Sequence, residues 1–139
     1  MAKTKFELYE MALFLLRVGA GVMMVALHGW GKLNAVYRHF TTGEEWGFIG
    51  YVGSLGFPVP VVFATMAALG ESVAAVLLAA GLYTRFAAAA MAGTMAVAAY
   101  SHIIKGEMAE LSLMYLLVGL LFIARGAGPI SIDHIIRKK

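Results

Sequence analysis

Cysteine is missing from the 139 residues, and charged residues make up only 14% of them. Without cysteine there are no disulfides, no thiolate metal sites and no catalytic thiol. Soluble domains carry about 25% charged residues, so the scarcity of charge argues against a water-soluble domain. No phosphate loop, dinucleotide fingerprint, nucleophile elbow or HExxH pair is present. The basic residues are scattered and the formal net charge is only +3, which argues against a nucleic-acid partner. No signal peptide is expected: Glu7, Glu10 and Arg17 interrupt the pattern that Lys3 and Lys5 begin, and no clear cleavage site follows.

What the chain does have is hydrophobic sequence, 61% of its residues. A membrane helix needs ~20 mostly apolar residues. Four spans are expected, at about 11–31, 61–83, 86–104 and 107–125, within a single domain covering 1–139. The last is the hardest to bound, because reaching spanning length draws Glu110 to the membrane edge. Thr84-Arg85 and Lys105–Glu107 are read as tight turns, which force antiparallel neighbours. The stretch 32–60 carries Gly47, Gly50, Gly53 and Gly56 at every third residue, interleaved with Trp46, Phe48, Tyr51 and Phe57. Thr42-Gly43-Glu44-Glu45 has the form of a capping box. This stretch is either an amphipathic or re-entrant element or an aromatic-rich loop on the headgroups. Small residues at helical spacing (Ala64, Ala68, Ser72, Ala75 and Ala79, then Ala88, Ala92 and Ala96) suit close helix packing. The expected fold is all-α: an integral-membrane antiparallel four-helix bundle with a short interfacial or re-entrant element between helices 1 and 2.

Lys3, Lys5, Arg85, Arg125, Arg137, Lys138 and Lys139 fall on one side of such a bundle, and Lys32, Arg38 and Lys105 on the other. The positive-inside rule then puts both termini in the cytoplasm, with a bacterial inner membrane as the expected location. The 130–139 stretch reads as an interfacial tail.

Two charges lie inside the spans. Glu71 sits alone in the apolar run from Pro60 to Tyr83, and Arg17 lies within the run from Met11 to Trp30. A charge at mid-bilayer costs at least ~2.5–3.5 kcal/mol, so it faces a partner or a cavity. The matching depths of the two residues suggest a buried Arg17–Glu71 ion pair. Such a pair either fixes register, with Tyr115 or Ser112 satisfying its remaining hydrogen bonds, or forms a polar site for a proton or a ligand headgroup. A second layer, nearer the far surface, gathers His28, Lys32, Tyr100, His102 and Glu110, with Glu107 beside them. It is a candidate ligand or proton site, against a simpler reading as interfacial anchoring. No catalytic residue and no metal site is assigned, and His39 and His134 are expected to be solvated.

The chain resembles the DoxX family of small membrane proteins. The pieces that carry the resemblance are Arg17-x-Gly19-x-Gly21, His28-Gly29-x-Gly31-Lys32-Leu33, Gly56-Phe57-Pro58-x-Pro60, Gly70-Glu71 and Gly81-Leu82-x-Thr84-Arg85, followed by Glu110 and Gly126-x-Gly128-Pro129-x-Ser131-x-Asp133. The resemblance implies a four-helix membrane bundle and association with oxidoreductases, the family being named after a subunit of an archaeal quinol oxidase complex linked to thiosulfate oxidation. The expected function is therefore an accessory membrane subunit of a respiratory or other quinone-linked oxidoreductase, with lipid and protein subunits as partners. No cofactor is bound covalently, and quinone or lipid is the candidate ligand. The alternatives are a stand-alone quinone- or lipid-binding protein and a small proton-coupled transporter.

Overall fold

The computed structural model describes residues 2–138, with side chains from Glu7 onward. Lys3, Lys5 and Lys139, which enter the charge count for sidedness, lie outside the described side chains. The described residues form helices joined by turns and short connections, without strands. Helix α1 runs over Ala2–Met24 and passes through a wider π turn, Val25–Gly29, into α2, Trp30–Thr42. There follow α3, Gly47–Ser54; α4, Pro60–Glu71; α5, Val73–Ala80; α6, Thr84–Ile104; α7, Glu110–Arg125; and α8, Ile132–Arg137.

Three helical stretches are long and apolar enough to cross a membrane: Glu7–Thr42, Pro60–Ala80 and Thr84–Ile104. The first exceeds the expected 11–31 span. Nothing stops the helix until Gly43, whose φ of 72° is left-handed and closes α2. Its 36 residues reach about 54 Å at ~1.5 Å per residue, well beyond a ~30 Å hydrocarbon core. No residue of α2 is buried. Thr42 therefore ends a helix and opens none: its hydroxyl donates back to the Arg38 carbonyl at 2.7 Å, and the expected capping box does not form. The stretch after Gly43 is neither a plain loop nor featureless. It folds into α3, with Trp46, Phe48 and Tyr51 in a stack along one side.

The second turn also differs from expectation. Thr84 and Arg85 open α6, and the turn is Gly81–Tyr83, with Gly81 at φ 71° and Tyr83 at φ 47°. Helix α7 begins at Glu110, not near 107, because Gly106 turns at φ 71° and Ala109 is not helical. At 16 residues it spans only about 24 Å, and it packs along α6.

Glycine sets the register of the packed helices. A Cβ on Gly29 would collide with the Glu71 carbonyl oxygen, and one on Gly21 would sit 2.6 Å from the Ala75 oxygen. A Cβ on Gly81 would meet Arg17 Nη1 at 2.6 Å. Hence α1 runs antiparallel to α4–α5, with residue 29 level with 71, 21 with 75–79, and 17 with 81. The closest approach is irregular on both sides: α1 carries its π turn there, and Ser72 breaks α4 from α5 at φ −114°, ψ −77°. The Ser72 N–H and hydroxyl both donate to the Ala68 carbonyl, at 3.0 and 2.5 Å, a double bond to one acceptor that bends a helix. On the other flank Gly119 of α7 lies against Ala92 of α6, and Arg85 Nη2 donates to the Ala124 carbonyl at 3.2 Å. The expected small-residue stripe of α6 holds at Ala88 and Ala92 and turns outward at Ala96. Met24, Leu78, Met91 and Phe122 fill the centre, yet the bulkiest fully buried side chain is Arg17.

Gly29→Ala is expected to destabilise the protein by about 1–3 kcal/mol through overpacking, lowering the thermal unfolding temperature in detergent. Gly31→Ala, with nothing within 4 Å of its added methyl, serves as the tolerated control.

Candidate functional site

The two intramembrane charges do not meet. Glu71, 3% exposed, pairs with Lys32: Nζ lies 2.5 Å from Oε1. Arg17, 1% exposed, donates to the backbone carbonyls of Ala127 and Ile130, the latter at 2.7 Å. The expected Arg17–Glu71 pair fails for two physical reasons. By the glycine register Arg17 is level with Gly81, some twelve residues or about 18 Å along α1 from the Glu71 level. Helical side chains also lean toward their own N-terminus. In antiparallel helices this tilts Arg17 and Glu71 apart, and it tilts Lys32 and Glu71 toward each other across the one turn that separates their backbones.

The Lys32–Glu71 pair lies in a cavity of about 500 Å³ between α3, α4 and α6. The lining is mostly apolar: Phe48, Val52, Leu55, Phe57, Phe63 and Ala90 are typical. Lys32 Nζ also sits 4.7 Å from the centre of the Phe48 ring, so its charge is held between a carboxylate and an aromatic face. The other polar groups of the lining are Thr94, which lies against Gly70 beside Glu71, and, farther along, Ser101, Tyr51 and His102. Tyr51 donates to the Ser101 hydroxyl at 3.0 Å and carries Lys105 Nζ 4.0 Å from its ring centre. His102 Nδ1 lies 2.9 Å from Glu107 Oε2 at the exposed rim.

The structure divides the expected far-surface cluster. Lys32 and His102 line the cavity, and Glu107 reaches it through His102. His28 is turned to α7, edge-on to Tyr115 at 6.4 Å between ring centres. The π turn separates His28 from Lys32: one extra residue rotates the remainder of the helix by about 100°. Tyr100, 62% exposed, and Glu110, also exposed, face away from the cavity. Glu71 joins this layer in their place. Tyr51, Ser101 and Thr94 are cavity residues that the sequence does not mark, because the cavity exists only once α3 has packed on α4 and Tyr51 reaches across to α6.

A further polar centre, also absent from the sequence reading, lies at the end of the bundle where α1 begins. Glu10, 5% exposed, pairs with Arg125. Glu10 and Arg17 are seven residues apart on one helix, hence on one face, which is the signal that could have found it. Asp133 accepts hydrogen bonds from the N–H groups of Tyr83, at 2.8 Å, and Thr84, at 3.0 Å, and so caps α6 from the far end of the sequence. The tail is thereby tied to the α5–α6 turn, and the Asp133 N–H also donates to the Gly81 carbonyl at 2.8 Å. Burial pushes the Asp133 carboxyl upward, but the hydrogen bonds from Thr84 and Tyr83 and the nearby Arg137 outweigh it and hold it below the usual carboxylate range.

Long apolar helices, an exposed apolar periphery and a polar centre inside an apolar cavity define a small helical integral-membrane protein. The chain belongs to the DoxX family, whose family model matches residues 12–103. The match takes in Arg17, Lys32 and Glu71 and ends before α7, so Glu110 and the 126–133 segment lie beyond it. No curated protein and no solved structure matches the chain.

A carboxylate with a lowered folded-state pKa stabilises the fold fully above its unfolded value, about 3.9, and loses that contribution as pH falls through the folded value. Asp133→Asn keeps one acceptor oxygen but loses the charge, and should lower the unfolding temperature at neutral pH by less than the ~0.5–2 kcal/mol of a cap removed outright by alanine. The gap from wild type should close as pH is brought below about 4 in a thermal-unfolding series.

Proposed function

We propose that the protein is a membrane subunit that holds a lipid-soluble ligand with a polar head, of the quinone class, within the cavity of α3, α4 and α6. The supporting observation is the cavity itself: about 500 Å³, within the ~300–1,000 Å³ of small-molecule sites, apolar with a few convergent polar groups. Lys32 has donors to spare beyond the one used on Glu71, and these suit a carbonyl oxygen of the head. Thr94 and Ser101 supply further hydrogen-bonding groups. Met66, Gly93 and Val97 line the cavity and are also exposed on the apolar periphery, so entry from the bilayer suits it better than entry from water. In this reading α7 is the fourth membrane element and closes the bundle against α6 and α1.

Quinone should be retained through purification and quench the fluorescence of Trp46, whose ring lies 5.5 Å from that of Phe48 in the cavity wall. Lys32→Met should weaken binding of a short-chain quinone by about tenfold, the value of one charge-assisted hydrogen bond. Gly93→Leu has open space around the added side chain and should fill the cavity, abolishing binding without unfolding the protein. Equal quenching in wild type and Gly93→Leu would remove the cavity as the site.

Family membership and the unpacked α2, with Tyr37 and Phe40 both more than 60% exposed, favour a place in a larger oxidoreductase assembly. Purification in mild detergent followed by mass spectrometry should recover stoichiometric partner subunits. A homogeneous particle of this chain alone would leave the stand-alone ligand-binding reading.

A further inference from the structure

The second polar centre has a charge imbalance that the bundle itself leaves uncorrected. A cleft of about 330 Å³ opens where α7 hands over to α8, lined among others by Arg85, Arg125, Arg137, Ser131 and His134. Arg17 lies at the same end, holding the carbonyls of Ala127 and Ile130 in the 126–130 segment that forms one wall. Three arginines, Arg85, Arg125 and Arg137, thus line the cleft with two carboxylates, Glu10 and Asp133, and both carboxylates are engaged. Glu10 is committed to Arg125, and Asp133 to the N–H groups of Tyr83 and Thr84. Among the described residues neither Arg85 nor Arg137 has a carboxylate within 4 Å, although Arg137 is near enough to act on the charge of Asp133. The cleft therefore has the chemistry of an anion site, with planar guanidinium donors suited to phosphate oxygens.

A second feature selects among anions. Beside the cleft-lining Asp133, His134 and Arg137 in sequence, α8 and the segment before it carry exposed apolar side chains that are not part of the lining: Ile130, Ile132, Ile135 and Ile136 are each 39–61% exposed. These isoleucines sit immediately beside Asp133, His134 and Arg137, so α8 puts apolar and cationic groups side by side. A free inorganic anion makes no use of that apolar border. An acyl-chain anion uses both.

We infer that the cleft between Arg85, Arg125 and Arg137 binds the phosphate headgroup of an anionic phospholipid, with the acyl chains along the α8 isoleucines. The site is separate from the α3–α4–α6 cavity and stands whether or not that cavity holds quinone. Basic clefts at helix ends capture anionic headgroups by charge, with each Lys or Arg near the surface worth about fivefold in affinity.

Native mass spectrometry of the purified full chain, with phosphatidylglycerol or phosphatidylcholine added in equal amounts, tests the assignment. Phosphatidylglycerol should be retained preferentially. Arg137→Gln should cut its retention about fivefold, and the Arg85→Gln/Arg137→Gln pair about twenty-five-fold. Both residues are exposed, so the variants should keep the wild-type circular dichroism. Should the double variant misfold, Arg137→Gln alone decides. Ile135→Ser/Ile136→Ser should weaken phosphatidylglycerol retention with the arginines intact. Equal retention of the two lipids, or no change in the arginine variants, would overturn the proposal. Displacement of the lipid by millimolar inorganic phosphate would overturn the lipid assignment in favour of a free-phosphate site.

Discussion

Backbone contact between Gly29 and Glu71 is the constraint on which the rest of the molecule rests. Two helices that approach this closely cannot slide, because any side chain at the crossing would strike a carbonyl. Once 29 is level with 71, every other pairing across α1 and α4–α5 is set. Lys32 must come down on Glu71, and Arg17 must find itself at the end of the bundle beside Gly81. The π turn in α1 and the break at Ser72 fall at this crossing, and a local departure from helical hydrogen bonding is what lets two backbones come so near.

The two charged centres solve the same problem by different means. Removing an ion from water costs several kcal/mol, and that cost is recovered only by good geometry and further hydrogen bonds. Glu71 recovers it with a mobile ammonium that is itself supported by an aromatic ring, and the pair stays open to a cavity. Arg17 is given neutral carbonyls, in a closed arrangement that leaves no space for a ligand. The first arrangement can exchange partners. The second holds the segment after α7 in place, and with it the position of α8. That contrast separates a group suited to binding from one suited to architecture, although both are lone charges in apolar runs.

Much of this is legible in the residues. Helical class, membrane character and the burial of Glu71 and Arg17 follow from composition and from charges placed where the solvent is hydrocarbon. The partner of Glu71 is misread when depth is taken from the midpoints of apolar runs, which carry no information on how two helices are offset. The lean of side chains toward the helix N-terminus points instead to Lys32. His28 cannot be placed from residue types alone, since a π turn has no reliable signature among them and it redirects everything after it. Tyr51 and Ser101 meet only because α3 packs on α4 and the Tyr51 hydroxyl reaches across to α6, a contact fifty residues apart along the chain. Glu10 enters the sequence reading only as a charge that interrupts a signal-peptide pattern, although its two-turn spacing from Arg17 places it on the same buried face.

The Arg17 clamp has a bearing on how the protein is made. Its acceptors, Ala127 and Ile130, lie 110 and 113 residues further along the chain. When α1 enters the membrane during synthesis, those acceptors do not yet exist, and within α1 the guanidinium has only the face of the Phe14 ring, 5.7 Å from its centre. Chain segments emerge at roughly 5–20 residues per second, so α1 waits several seconds with an uncompensated charge. The near end of the bundle can lock only after nearly the whole sequence has left the ribosome. A chain that stops short of Ala127 therefore lacks both carbonyls that hold the Arg17 guanidinium in the finished fold.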